Sequence, residues 1–367
     1  MSDLSSASVF GTAAPQLPVG WYFDPRVYEI EKRLFFEHGP GYIGHELMVP
    51  NVGDYQTLEA LGNAKALVRS EGGIELLSNI CRHRQAVMLK GRGTARNIVC
   101  PLHRWTYGLD GRLLGAPQFT QNPCLDLAKS KLTAWNGLLF AGQRNAADDL
   151  GLLGVAAELD FSGFVFDRVD VEEYACNWKT FIEVYLEDYH VEPFHPGLGN
   201  FVDVRDLRWE LGDWYSVQTC GVKRNLVRPG SSVYRRWHDQ VLRYSEGESP
   251  VHGAIWLTYF PNVMVEWYPH SLVVSSLVPR GPEACTNVVE FYYPEEIALF
   301  EREFVEAEQA AYRETAVEDA EIIERMTAGR RALLQQGIDE SGPYQSPLED
   351  GMRHFHEFVR RELEPRL

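Results

Sequence analysis

The chain has 367 residues, 45% hydrophobic and 12% aromatic, which suits two or three packed domains and excludes global disorder. Its formal charge of −17 argues against nucleic acid or an anionic membrane as a partner, because both would repel it, whereas a basic redox protein would be attracted. The first residues lack the basic region and apolar core of a secretory signal, and no uncharged apolar run approaches the ~18 residues of a membrane span, so a soluble, cytoplasmic protein is expected.

Residues 1–18, rich in Ser, Ala and Pro, are expected to form a mobile arm. Asp24 is placed to cap a helix that begins at Pro25 and carries Val27, Ile30, Leu34 and Phe35 on one face until the Gly-Pro-Gly at 39–41 stops it. Short apolar segments at 42–45, 55–58, 65–69 and 75–78, separated by Gly, Asn or Pro, predict strands of a small β domain. Asp110-Gly111 predicts a hairpin between two further short strands, and 138–141 a strand that closes this domain. The run 142–154 is the candidate boundary, which gives an arm and helix over 1–40, an all-β domain over 41–145 and a larger domain over 146–367.

In the larger domain, 170–175 reads as a strand and Asn177 opens a helix running toward His190. Strands at 214–219, 254–259, 263–267, 271–278 and 286–293 predict a twisted antiparallel sheet, and helices over 294–328 and 349–361 flank it. Strands followed by helices predict an α+β fold class.

Two stretches carry metal chemistry. Residues 79–105 hold Cys81 and His83, then Cys100 and His103. Zinc fingers usually put the cysteines in one arm and the histidines in the other, but here each arm supplies one of each, which suits a cluster whose two irons have different ligands. In these residues the chain resembles the Rieske proteins. The resemblance implies a [2Fe–2S] centre with Cys81 and Cys100 on the inner iron and His83 and His103 on the exposed one. A structural zinc site is the other reading. Gly91 and Gly93 lie between the arms, as amide donors to the sulfurs or as plain loop residues. Cys124, Cys176, Cys220 and Cys285 are expected to be buried small hydrophobes.

The second stretch, 177–195, contains Glu187, His190 and His195, with Pro193 between the two histidines to distort the helix. Two His and one carboxylate form a facial triad that leaves positions open on Fe(II). Asp319 shares a helix face with Ile322, Ile323 and Met326, whereas Glu318, Glu321 and Glu324 align less well, so Asp319 is the candidate third ligand; a salt bridge to an Arg is its alternative role. Both segments also resemble the catalytic part of the Rieske non-haem iron oxygenases. That resemblance implies a mononuclear Fe(II) held by His190, His195 and Asp319, and Glu187 as the acid that bridges His190 to a Rieske His of a neighbouring subunit; Asp188 is the competing acid. It further implies O2 as co-substrate, a reductase or ferredoxin that passes on electrons from NAD(P)H, a head-to-tail homotrimer, and mono- or dioxygenation of an aromatic or other small organic substrate. Oxidation of a quaternary ammonium compound within an aromatic cage is the alternative, with Phe181, Tyr185, Phe194, Phe201, Trp256 and Trp267 as candidate lining. A Rieske electron carrier and a zinc-stabilised binding module are the rivals from other classes, and both leave 170–330 unexplained.

Overall fold

The computed structural model describes residues 16–367, so most of the expected N-terminal arm lies outside the described residues. Leu17, at its end, is buried in the same apolar cluster as Trp178 and Phe358. Asp24 caps the helix Pro25–Glu31 by accepting from the Arg26 amide, and the chain continues as a π-helical turn over Lys32–Glu37.

Antiparallel strands build the part that follows. Arg92–Thr94, Asp54–Thr57, Lys65–Ser70, Gly73–Ser78 and Lys129–Ser130 form one five-stranded sheet in that order. Ile98–Val99, Thr106–Tyr107 and Leu113–Gly115 form a smaller one, with Gly111 in the left-handed conformation (φ 82°) that the turn between its last two strands requires. Tyr42–His45 pairs with Leu138–Phe140, so the first and last strands of this region meet.

A seven-stranded antiparallel sheet dominates the rest, in the order Phe164–Tyr174, Ala284–Pro294, Ser271–Gly281, Val263–Tyr268, Ala254–Tyr259, Tyr215–Val222 and Val202–Gly212. The edge strand Val202–Gly212 and the helix Ser232–Tyr244 escape the sequence reading. The strand mixes exposed, intermediate and buried positions without clean alternation, and in the helix the apolar face of Tyr234, Trp237 and Val241 is interrupted by charged and polar residues.

Period-two alternation separates the two faces of this sheet. Val263, Val265, Leu272, Val274 and Tyr292 point to one face, where they share a core with Leu67, Leu76 and Phe140 of the small sheets and with Met48. Trp256, Val273, Val289 and Phe291 point to the other face, against Phe304, Val305 and Ala311 of the long helix Arg302–Gln336 and against Tyr234 and Trp237. The final helix, Asp350–Leu363, buries Met352, Phe355 and Phe358 against Trp178 and Phe260. No helix among the described residues is long and apolar enough to cross a membrane.

Candidate active site and redox centre

Asn177 caps the helix Trp178–Tyr185 by accepting from the Lys179 amide, but that helix ends five residues before His190 rather than running to it. The break occurs where the Asp188 amide donates to the Leu348 carbonyl (2.9 Å), which takes it out of the helical ladder. A single turn, Val191–Phe194, then holds Pro193 inside it and sets His190 and His195 at its two ends. Their rings face one another with centroids 4.9 Å apart. Convergence thus comes from a helix that stops and restarts, not from distortion of a continuous one.

Asp319, on the long helix, completes the group. Its Oδ1 lies 3.0 Å from His195 Nε2 and 3.5 Å from His190 Nε2, and one ligand atom from each of the three residues lies within 4.8 Å of the others. Both Nδ1 atoms are already engaged from behind. His190 Nδ1 bonds Glu187 Oε1, and His195 Nδ1 bonds Glu318 Oε2 at 2.7 Å. Each imidazole therefore turns its Nε2 lone pair inward, as carboxylate–histidine–metal arrangements require. Apart from their approach to one another, His195 Nε2 and Asp319 Oδ1 are buried and without a hydrogen-bond partner, which fits atoms shaped to hold a cation. Burial opposes protonation of His190, yet its contacts with Asp319 and Glu187 outweigh that and raise its pKa to about 10. The negative potential that draws a proton to this ring equally favours a divalent metal in its place.

Glu318 is the residue the sequence reading missed. Phase against its own helix's apolar face set it aside, but what decides its role is the docking of His195 from another segment. Asp188 stands apart from both imidazoles: it is buried, one of its oxygens lacks a partner, and burial followed by Glu187's charge raises its pKa to about 8.

The other constellation is a pair of similar loops. Cys81 O accepts from the Gln85 amide and Cys100 O from the Arg104 amide, with Gln85 (φ 55°) and Arg104 (φ 62°) both left-handed. Cys81 and Cys100 are buried, His83 is half-buried and His103 exposed. The two imidazole centroids are 4.7 Å apart, and His83 stacks on Trp105 at 5.0 Å. Burial raises the Cys81 thiol pKa, but the His83 amide and the Tyr107 hydroxyl, 3.7 Å from the sulfur, outweigh it and hold the thiol below its ordinary value. With His83 Nδ1 also buried and unpartnered, thiols inside and imidazoles outside fit a cluster bound asymmetrically. Gly91 and Gly93 do not serve the sulfurs: the Gly91 amide donates to Thr57 Oγ1, and Gly93 pairs with Tyr55 in a strand. Cys176, Cys220 and Cys285 are buried as expected, whereas Cys124 is exposed.

Residues 159–364, more than half the chain, match the family of ring hydroxylating alpha subunits (catalytic domain), and residues 41–130 match the Rieske [2Fe–2S] domain. The chain belongs to the Rieske non-haem iron oxygenases. A putrescine 2-hydroxylase of Ralstonia nicotianae is 63% identical over 99% of this chain and 100% of its own length. A second, from Bordetella bronchiseptica, is 53% identical over 99% of this chain and 88% of its own. Among solved structures, a quaternary ammonium Rieske monooxygenase described with carnitine oxidation and inter-subunit electron transfer superposes with a TM-score of 0.75 at 20% identity, covering 96% of each chain. This Rieske oxygenase is accordingly a terminal oxygenase that hydroxylates a small substrate. It carries a Rieske cluster and a mononuclear iron, and it uses O2 with electrons from a reductase or ferredoxin.

Proposed function

We propose that this oxygenase hydroxylates a slim aliphatic diamine, putrescine or a close analogue, on a carbon adjacent to an amine-bearing one. The observation that carries this reading is the lining of the cavity that reaches His190, His195 and Asp319. Seven carboxylates line it against one cationic side chain, the exposed Arg313. Its volume of about 120 Å³ is well below the ~300–1,000 Å³ of sites for drug-sized ligands, which favours a narrow chain over a fused aromatic substrate. With an aromatic hydrocarbon the buried acids Asp188, Glu266 and Glu308 stay largely protonated, whereas a dication draws off their protons and pairs with the carboxylates. The identity of 63% to a putrescine 2-hydroxylase supports the same choice.

In this reading, mononuclear iron activates O2 and the Rieske cluster delivers the electrons. His190, His195 and Asp319 hold the iron, with Glu187 and Glu318 fixing the two imidazoles. Cys81, His83, Cys100 and His103 hold the cluster, and exposed His103 offers the side at which electrons leave. Glu187 links His190 to a Rieske histidine of an adjacent subunit in a head-to-tail homotrimer. The domain boundary falls near residue 145, and the enzyme works in the cytoplasm. The test is O2 uptake with a reconstituted reductase, with product masses, across putrescine, γ-butyrobetaine, choline and benzoate. Putrescine gaining one oxygen atom is expected. Coupled turnover of benzoate or a betaine, without putrescine, overturns the reading.

A further inference from the structure

Among the carboxylates that line the cavity, Glu266 accepts from two tyrosine hydroxyls whose rings, with Trp256, also line it. Glu266 lies on the central strand Val263–Tyr268, 1% exposed, facing the cavity. Tyr268 Oη donates to its Oε2 (2.9 Å) and Tyr312 Oη to its Oε1 (3.0 Å), while Trp256 Nε1 donates to Tyr268 Oη (2.9 Å) and orients that phenol. Among the described residues no Lys, Arg or His forms an ion pair with it. Two donors leave about half of a carboxylate's four acceptor positions unused.

Around it, aromatic rings follow one another: Tyr185 and Trp256 centroids are 6.5 Å apart, Trp256 and Tyr268 6.2 Å, Tyr268 and Tyr312 6.5 Å. The Tyr185 hydroxyl is buried, lines the same cavity and has no partner. A carboxylate with free acceptor positions, ringed by π faces, suits an ammonium that brings both positive charge and N–H donors.

Resting on the diamine reading above, we propose that Glu266, fixed by Tyr268 and Tyr312, anchors one terminal ammonium of the substrate and sets the chain's reach toward His190, His195 and Asp319. The anchor selects for primary amines over quaternary ones, because a trimethylated nitrogen keeps the charge but has no N–H to give the carboxylate.

The test is calorimetric binding to the holoenzyme, comparing putrescine, 4-amino-1-butanol and 1,4-butanediol, for wild type, Glu266→Gln and Tyr312→Phe. Losing a charge-assisted contact raises Kd about 10- to 100-fold. Glu266→Gln should therefore weaken putrescine by that factor and narrow the preference for putrescine over the diol, while its ligand-free melting temperature holds, because the amide replaces an acid that burial already pushes toward its neutral form. Tyr312→Phe, which keeps the carboxylate but removes one donor, should weaken putrescine severalfold. If wild type binds putrescine and Glu266→Gln binds it equally well, the anchor is overturned while the diamine reading stands. If wild type binds no diamine, both are overturned.

Discussion

The helix that leads into the metal-binding segment rests on a buried ion network that can be broken at a single residue. Glu183, wholly buried on Trp178–Tyr185, accepts from Arg330 Nη2 (2.6 Å), His356 Nε2 (2.9 Å) and Tyr22 Oη. Arg330 also stacks over the Tyr22 ring at 4.0 Å, so the N-terminal segment, the long helix and the final helix meet on one carboxylate. Burial alone would raise the Glu183 pKa, but Arg330 and the hydrogen bonds outweigh it and hold it at about 2 rather than 4.5. That difference corresponds to about 3 kcal/mol of stability. It is present above pH 4.5 and lost as the pH falls toward 2. Arg330→Met leaves the charge buried without its main partner, which costs about 3–5 kcal/mol. With an unfolding entropy of about 2.1 cal/mol/K per residue over 367 residues, the melting temperature should fall by about 4–6 °C. Thermal unfolding followed by circular dichroism at pH 7 and matched iron content measures it. Adding Glu183→Gln should return at least half of the loss, because the stranded charge is then gone. An Arg330→Met melting point within about 1 °C of wild type, or a double variant no better than the single, refutes the account.

Three other outcomes follow from the site. Asp319→Ala should lose most mononuclear iron by metal analysis while the visible spectrum of the cluster is unchanged; full iron occupancy would assign the third ligand to another carboxylate. Glu187→Ala should retain both metal centres but lower substrate-dependent O2 uptake by about 100-fold or more, since the hydrogen bond to His190 Nδ1 has gone; normal turnover removes Glu187 from the electron path. Glu290 is buried between the two halves of the chain, where it accepts from Tyr42 Oη and Tyr292 Oη, and burial raises its pKa to about 7. The folded state then keeps a proton that the unfolded chain releases above its ordinary 4.5, so this group's contribution to stability falls as the pH rises from 4.5 to 7. Glu290→Gln should flatten the decline in melting temperature between pH 5 and pH 8; an unchanged slope assigns that decline elsewhere.

Features set by local chemistry were legible in the chain: the Asp24 and Asn177 caps, the Asp110-Gly111 turn, and the strand pattern from Ala254 onward. The proposed cluster ligands Cys81, His83, Cys100 and His103 could be picked out in the chain, because a ligand pair one or two residues apart keeps its spacing whatever the loop does, and the fold brings the His83 and His103 rings together. What depended on distant docking was not. The helix after Asn177 stops at Tyr185 because a carbonyl at Leu348 captures the Asp188 amide, and no helix propensity near 186 reports that. Glu318 could not be chosen over its neighbours from helix phase, since its partner His195 lies 123 positions away. Glu266 sits within an alternating strand, where a lone acid resembles an outward-facing residue until the long helix is seen to cover it.

The negative charge of the chain takes on a second meaning once those acids are located. At the level of composition, −17 was a statement about repelled partners. In the fold, seven of the carboxylates converge on one cavity, and Asp188, Glu266 and Glu308 there are each less than 4% exposed with pKa values that burial raises to about 7 or 8. Such groups destabilise an empty protein. Their arrangement fits a site whose electrostatics are completed by what enters it: a metal cation at His190, His195 and Asp319, and an organic cation beside Glu266. A neutral substrate would use the first completion and leave the second undone, which is why the charge of the ligand, more than its size, is the property on which this cavity should discriminate.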